Sequence, residues 1–141
     1  MEWLLTKELP LFLSKKQTIS ERIYFFIMES TLNLNSISQQ IGVSVECIRL
    51  IRGVFAKHSS INEVLIYGKR ATGNFSSDSP IDLAIRKSLE SYNELESIRT
   101  ELEILDLLYE INLIDRDLIK NQELKDQIIR EGILLYARDE F

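Results

Sequence analysis

The chain has 141 residues, of which 45% are hydrophobic and 28% charged, and it contains only five glycines and two prolines. This composition is ordinary for a soluble globular domain and excludes a disordered, collagen-like or low-complexity chain. The longest unbroken apolar run, Ile23–Met28, is far shorter than the roughly 20 residues that span a bilayer, and Glu2, Lys7 and Pro10 interrupt the apolar stretch that a signal peptide needs.

Cysteine and histidine are nearly absent. A single cysteine, Cys47, excludes an internal disulfide, and a single histidine, His58, leaves no cluster of soft metal ligands. A metal ion would need carboxylate ligands, which favour a hard ion such as Mg²⁺. We expect a reducing, cytoplasmic setting, and we interpret Cys47 and His58 as structural or incidental.

The formal charges divide unevenly along the chain. Residues 1–58 carry seven basic and five acidic side chains, a net charge of +2, whereas residues 59–141 carry ten basic and seventeen acidic side chains, a net charge of −7. This asymmetry indicates two functional parts, the first better suited to a polyanion, or else chance on a small count.

The predicted elements of the first part are all helices. A short helix over residues 3–13 is bent by Pro10, and the capping box Thr18–Glu21 begins a second helix that ends near Glu29. Two serines can cap further helices, one over Ser36–Gly42 and one over Ser44–His58.

Strands alternate with helices in the second part. Three apolar runs rich in β-formers are predicted as strands: Val64–Tyr67, Ile81–Ile85 and Tyr109–Ile114. A helix over Leu89–Leu108 precedes the third strand, and a last helix begins at Asp117 or Asn121 and continues through Ile133. The pattern predicts an α/β (α+β) fold, with a helical domain over residues 1–58 and a second domain over 59–141 that share the helix 44–58.

The loop after the first predicted strand carries the most informative motif. The segment Gly68-Lys69-Arg70-Ala71-Thr72-Gly73 is followed by Pro80-Ile81-Asp82-Leu83, with ten residues between Lys69 and Pro80. The segment resembles the minimal nucleotidyltransferases of the DNA polymerase β-like superfamily, whose signature is Gly-Ser, ten residues and Asp-x-Asp. The resemblance extends over residues 58–138 and implies a small mixed-sheet nucleotidyltransferase domain.

The resemblance also implies which residues form the site. Family members clamp a triphosphate with two Mg²⁺ ions held by three aspartates. The positions that it assigns to nucleotide binding are Gly68, Lys69, Arg70 and Gly73. Lys69 stands in place of the family serine, and Pro80 and Asn112 stand in place of two aspartates, so that Asp82 alone remains as a catalytic carboxylate and as a metal ligand, if there is any.

Other carboxylates are poor substitutes. Asp78 lies in the loop, Asp106 lies near a helix end, and Asp115 is three residues from Asn112, so that on a strand it faces the opposite side. We therefore expect no metal and no cofactor, and we predict that the Lys69 cation contacts Asp82 or a phosphate in place of a metal ion.

Simpler interpretations of the same residues remain open. Asp82 can be an ordinary strand residue paired with Lys69 or Arg70. Arg70 can bind a phosphate or be a solvated loop charge. Tyr67 and Tyr109 are interpreted as core or rim aromatics, and Gly68 and Gly73 can simply serve the turn.

Residues 36–51 resemble a helix-turn-helix, with Gly42 in the tight turn and a second helix that can enter a major groove. The residues predicted to contact DNA are Gln39, Gln40, Ser44, Val45, Glu46, Arg49 and Arg52. Three-helix units also serve as docking sites for proteins, so both interpretations stay open. Gly53 either interrupts the second helix or lies within one helix that the two domains share.

The favoured function is non-catalytic: a regulatory or interaction protein that binds DNA. Because family members act as antitoxins of helical HEPN-type toxins, the resemblance implies an antitoxin-like role with such a partner. Two alternatives are an active enzyme that transfers NMP from an NTP with Mg²⁺ through Asp82, and a sensor that binds a nucleotide without reacting. Whether the chain forms a homo-oligomer is left open, and no membrane association is expected.

Overall fold

A computed structural model of the chain describes residues 33–87 and 92–138. The chain divides into two compact units, residues 1–35 and 36–141. The helices predicted over residues 3–13 and 19–29 lie outside the described residues. None of the helices within the described ranges is long and apolar enough to cross a membrane.

Two helices joined by a tight turn begin the described part. Residues 33–41 form helix α1, which Gly42 ends with a φ of +69°, a left-handed conformation that favours glycine. Helix α2, Val45–Ala56, begins as predicted, because the Ser44 side chain accepts a hydrogen bond from the Cys47 N–H. The helix continues through Gly53, so Gly53 does not interrupt it.

The rest of the chain alternates strands and helices around one sheet. Its elements are β1 (Ile61–Tyr67), α3 (Lys69–Thr72), β2 (Ile81–Lys87), α4 (Tyr92–Ile104), β3 (Ile111–Asp115), a 3₁₀ turn (Arg116–Leu118), α5 (Gln122–Glu131) and β4 (Ile133–Ala137). The strand order is β3-β2-β1-β4, with β2 and β3 parallel and the other two pairs antiparallel. This is the mixed sheet that the family resemblance implies.

Helices cover both faces of the sheet. On one face, Ile128 of α5 packs into a buried cluster with Leu65 and Ala84. On the other face, Phe55 of α2 is fully buried, with its ring centroid 6.2 Å from that of Tyr136. Most of the buried core residues are aliphatic. This agrees with the near-continuous apolar runs that the strands have in the sequence.

Several predicted boundaries are wrong, each for a local reason. Strand β1 begins at Ile61 rather than Val64, because a register shift after Ile61 disguises the alternation. Of the two starts left open for the last helix, the structure confirms the N-cap Asn121, because Asp117 lies in the 3₁₀ turn. This helix ends before Ile133, the first residue of β4.

Helix α4 ends at Ile104 rather than Leu108. Asp106 follows with a φ of +49°, a left-handed conformation that a helix cannot continue through. The predicted start at Leu89 lies outside the described residues.

Candidate functional site

The strand register places three polar residues side by side on β1, β2 and β3. Asp82, the second residue of β2, pairs with Tyr67 on β1 and with Asn112 on β3. The Asn112 Nδ2 donates a hydrogen bond of 2.9 Å to Asp82 Oδ1. The structure therefore brings together Asp82 and Asn112, two positions where the resemblance implies site residues, and joins them by a hydrogen bond.

The carboxylate of Asp82 leaves no room for a side chain at position 68. The φ of Gly68 is +75°, and a Cβ added there would lie 2.7 Å from Asp82 Oδ2, closer than real Cβ contacts allow. One oxygen of Asp82 thus accepts from Asn112, and the other lies against the backbone of the Gly68 turn.

Lys69 does not contact Asp82. It is exposed at the start of α3, and no ion pair joins it to Asp82 within the described residues. The predicted Lys69–Asp82 contact is wrong, as is the pairing of Asp82 with Lys69 or Arg70, because the neighbouring strand supplies Asn112 instead. A contact between Lys69 and a phosphate stays a prediction.

Arg70 lies in the protein interior, with 1% of its surface exposed. Its Nη1 donates to the Ile41 carbonyl at 2.9 Å and to the Gly42 carbonyl at 3.2 Å. Its Nε and Nη2 donate to the Ser79 carbonyl at 3.0 and 2.8 Å. Neither a solvated loop charge nor a phosphate ligand fits this position, because carbonyl oxygens already occupy the guanidinium donors.

Two tyrosines and a glycine flank these groups. Tyr109 stacks on Arg70 and is half-buried, in agreement with its interpretation as a core or rim aromatic. Tyr67 is also half-buried, and burial, with the negative charge of Asp82 as a second cause, raises the pKa of its phenol. Gly73 ends α3 with a φ of +85° and has open space around it, so it serves the turn.

The donor set does not fit a pair of Mg²⁺ ions. A two-ion site needs several carboxylate oxygens. Here one oxygen of Asp82 accepts from an amide, and Pro80 has no side-chain donor. Within residues 33–87 and 92–138, no group of three or more His, Cys, Asp or Glu side chains is arranged to hold a metal.

The alternative carboxylates do not complete this site. Asp78 is exposed in the loop. Asp115 is buried and occupied elsewhere, because its Oδ1 accepts from the Asp117 N–H at 2.9 Å and its Oδ2 lies 3.9 Å from Lys87 Nζ. It pairs with Ile85, three positions along β3 from Asn112.

Most of the side chains predicted to contact DNA lie on the surface. Gln39, Gln40, Ser44, Glu46 and Arg49 are exposed, and Val45 is half-buried. Arg52 is an exception: its Nε donates to the Leu135 carbonyl of β4 at 2.7 Å, and burial lowers the pKa of its guanidinium. Its guanidinium therefore faces the edge of the sheet, unlike the exposed side chains predicted to contact DNA.

Sequence reasoning missed a cluster around His58. The imidazole Nε2 lies 2.8 Å from Glu101 Oε2 and the Nδ1 lies 3.5 Å from Glu94 Oε2. Both glutamates belong to α4, so His58 has a structural role at the end of α2. The spacing of two glutamates seven residues apart on one helix was the available signal, but nothing in the sequence placed His58 beside them.

The fold and this arrangement of strand, glycine turn and carboxylate define a nucleotidyltransferase-type domain. The family model described as "Polymerase beta, Nucleotidyltransferase" matches residues 50–141. The chain therefore belongs to this family. No curated protein matches the chain.

Solved structures with this fold include toxin–antitoxin complexes. A chain of a toxin–antitoxin crystallised with AMP-PNP has 17% identity and a TM-score of 0.53, covering 66% of this chain and 75% of its own. A chain of an MntA–HpeT mutant with two Asp-to-Glu changes has 16% identity, a TM-score of 0.53 and the same coverage. A chain of the tri-AMPylated Shewanella oneidensis HEPN toxin in complex with an MNT antitoxin has 14% identity and a TM-score of 0.44, again covering 66% and 75%. At such identities the likeness is one of fold.

Proposed function

We propose that the chain is a catalytically degenerate nucleotidyltransferase-fold protein, a cytoplasmic antitoxin-like regulator that works by binding. The observation that carries this proposal is the hydrogen bond from Asn112 to Asp82. Nucleotidyl transfer needs anionic ligands that hold divalent ions against the triphosphate. In this chain an amide N–H occupies one lone pair of the single carboxylate, and Pro80 supplies no second carboxylate.

The proposed partner is a helical HEPN-type toxin. Its support is the fold shared with chains from toxin–antitoxin complexes, one of which was crystallised with AMP-PNP. If the chain neutralises such a toxin by binding alone, neutralisation does not depend on Asp82.

Coexpression separates the non-catalytic role from an enzymatic one. The full chain is coexpressed with a HEPN-type toxin, and growth is compared for the wild type, Asp82→Asn and the control Asp78→Asn, a carboxylate exposed in the loop. We expect all three to restore growth equally. Growth restored by the wild type and Asp78→Asn but not by Asp82→Asn would contradict the proposal.

An in vitro assay tests the same point chemically. Labelled ATP, CTP, GTP and UTP are incubated with the chain, the toxin, and Mg²⁺ or Mn²⁺. We expect no labelled toxin and no labelled chain. Labelling that disappears in Asp82→Asn would establish the active enzyme, whereas binding of ATP without labelling would favour the nucleotide sensor.

We also propose that the α1–α2 pair binds DNA. The support is the tight Gly42 turn, the exposed Gln39, Gln40 and Arg49, and the net charge of +2 over residues 1–58. Phosphate contacts make such binding strongly dependent on salt. Fluorescence anisotropy measures the affinity for a DNA duplex that carries the promoter region of this chain's own gene. The affinity should fall steeply with salt, and Arg49→Ala should weaken it. Equal affinity of the variant at every salt concentration would exclude this helix face.

A further inference from the structure

Arg70 is the most deeply buried charged side chain among the described residues, and its partners come from two separate segments. One is the end of α1, with the carbonyls of Ile41 and Gly42, and the other is the loop before β2, with the carbonyl of Ser79. A buried guanidinium must keep its donors paired. Both segments must therefore be in place at the same time.

Two aromatic rings lie against the guanidinium of Arg70. The Arg70 Cζ lies 5.0 Å from the centroid of Phe75 and 4.9 Å from that of Tyr109. Cation–π contacts of this kind strengthen when water is excluded. Because Phe75 belongs to the same loop as Ser79, the loop holds Arg70 both by its backbone and by a side chain.

Phe75 also connects the two segments directly. A Cβ added to Gly42 would lie 2.2 Å from Phe75 Cε1. The turn between α1 and α2 is therefore packed against the loop with no room for any side chain. A shift of the turn must move Phe75, and through it the face on which Arg70 stacks.

These contacts lead from the α1–α2 turn, through Arg70, to the candidate site. Arg70 is the second residue of α3, two residues after Gly68, which itself lies against Asp82. One short helix therefore carries both the turn that faces Asp82 and the side chain that holds the helix pair.

We propose that Arg70 is a positioning residue that makes the α1–α2 turn and the loop of residues 74–79 open and close as one cooperative unit. A ligand that displaces the Gly68 turn would then change the free energy of the α1–α2 turn, and the reverse also holds by linkage. This last consequence, a coupling of the candidate nucleotide site to DNA binding, rests on the proposed function. The cooperative unit does not.

Native-state hydrogen exchange on the full chain tests the unit. The amides to follow are Gly42, which donates to Ser38 at 2.9 Å, and Ser79, which donates to Ser76 at 3.2 Å. Arg70→Lys keeps the charge but loses the planar fork of donors. We expect both amides to exchange faster by a similar factor, about tenfold, because lost hydrogen bonds in a buried site are costly. The central amides of β1 should keep their rates.

Arg52→Lys is the matched control, because Arg52 is a half-buried arginine that binds the carbonyl of a single segment. It should speed exchange in β4 and leave Gly42 and Ser79 unchanged. Faster exchange at only one of the two amides in Arg70→Lys, or the same pattern in Arg52→Lys, would overturn the proposal.

A second pair of variants tests whether a change in the α1–α2 turn affects the loop of residues 74–79. Gly42→Ala forces Phe75 aside, whereas Gly53→Ala in the same helix pair meets open space. We expect Gly42→Ala to speed exchange at Ser79, and Gly53→Ala to leave it unchanged. An unaffected Ser79 in Gly42→Ala would contradict the coupling.

Should Arg70→Lys not fold, Phe75→Leu replaces it. This variant removes one stacking face of Arg70 and should give a smaller acceleration with the same joint pattern. A response confined to the loop would overturn the proposal. Failure of the chain to bind DNA or a toxin would defeat the proposed function and leave the exchange result decisive for the cooperative unit.

Discussion

The amide of Asn112 donates a side-chain hydrogen bond to Asp82. An asparagine can donate a hydrogen bond to a carboxylate, whereas an aspartate at the same place would repel it unless a cation lay between them. The observed distance of 2.9 Å between Asn112 Nδ2 and Asp82 Oδ1 places the two side chains in direct contact. The amide is a neutral donor, so the contact itself adds no charge beside the carboxylate.

Asn112→Asp should therefore destabilise the chain at neutral pH. We expect a loss of about 1–2 kcal/mol, from the lost hydrogen bond and the new repulsion. The repulsion should disappear in acid, where the introduced carboxyl takes up a proton and can donate a hydrogen bond again. Urea unfolding across pH measures it.

Asn121→Asp is the control for that variant. Asn121 caps α5 by accepting from the Leu124 N–H, a role that aspartate fills equally well. It should be nearly neutral at pH 7. An Asn112→Asp chain as stable as the wild type at pH 7, without added Mg²⁺, would show that the hydrogen bond is unimportant.

Asp82→Asn should lower the pKa of Tyr67. Burial is the first cause that raises this pKa above its ordinary value of 10.0, and the charge of Asp82 is the second. Removing the charge should bring the pKa part of the way down, because burial remains. Ultraviolet difference titration, with a Tyr67→Phe chain to isolate the signal, measures the change. Asp78→Asn should cause none, and an equal change in both variants would argue against a local effect.

At the scale of the element, helix α2 has one exposed face and one face that holds the sheet. Arg52 belongs to the second, because its Nε donates to the carbonyl of Leu135. Leu135 is the extra residue of a β-bulge, since Leu134 pairs with Leu65 while Tyr136 pairs with Val64. The arginine thus binds the carbonyl of the one residue of this segment that has no register partner on β1.

Arg52→Ala and Arg49→Ala should differ in their effect on stability. Arg52→Ala should lower the free energy of unfolding by about 1–2 kcal/mol, because a partly buried carbonyl loses its donor. Arg49→Ala, at an exposed position of the same helix, should change stability by less than about 0.5 kcal/mol. Urea unfolding distinguishes the two, and equal losses would contradict the assignment of Arg52 to the sheet edge.

Gly53→Ala should stabilise the chain. Gly53 lies inside α2, and a Cβ added there would have nothing within 4 Å, so alanine introduces no clash. A mid-helix glycine is less favourable than alanine by roughly 0.5–1 kcal/mol. Thermal unfolding should give a higher midpoint for this variant, whereas Gly42→Ala should give a lower one. A lower midpoint for Gly53→Ala would mean that another part of the molecule approaches this face.

At the scale of the whole molecule, His58 ties two helices that are distant in sequence. It follows α2, and its two ring nitrogens face Glu94 and Glu101 on α4. The hydrogen bond from His58 is the largest of the causes that lower the pKa of the Glu101 carboxyl. The junction of α2 and α4 therefore depends on an ionised Glu101.

Stability should fall in acid partly through this junction. A carboxyl whose pKa is lowered in the folded state adds stability above its unfolded pKa, 4.5 for glutamate, and that stability disappears as the pH falls through the folded pKa. Glu101→Gln should make the decline below about pH 4.5 shallower in a series of urea titrations. Glu103→Gln, an exposed residue on the same helix, should leave the wild-type slope. Identical slopes in all three chains would rule out the His58 contact.

Local patterns were sufficient for the approximate places of the described strands and helices. Ser44 and Asn121 predict where two helices begin, because capping depends on a few adjacent residues. The spacing from Gly68 to Asp82 is compatible with Asp82 beside the Gly68 turn, because strand geometry and loop length depend on nearby residues. The family resemblance added Asn112, which the register of β2 and β3 then placed beside Asp82.

The partners of the charged side chains were decided by the tertiary structure alone. Nothing near Arg70 in the sequence shows that the carbonyl of Ile41 would lie 2.9 Å from its guanidinium, and nothing near Arg52 points to Leu135. Lys69 and Arg70 are adjacent basic residues with similar local surroundings, yet one is exposed and the other enclosed. An arginine is buried only where several carbonyls and rings converge, and that convergence is a property of the assembled chain.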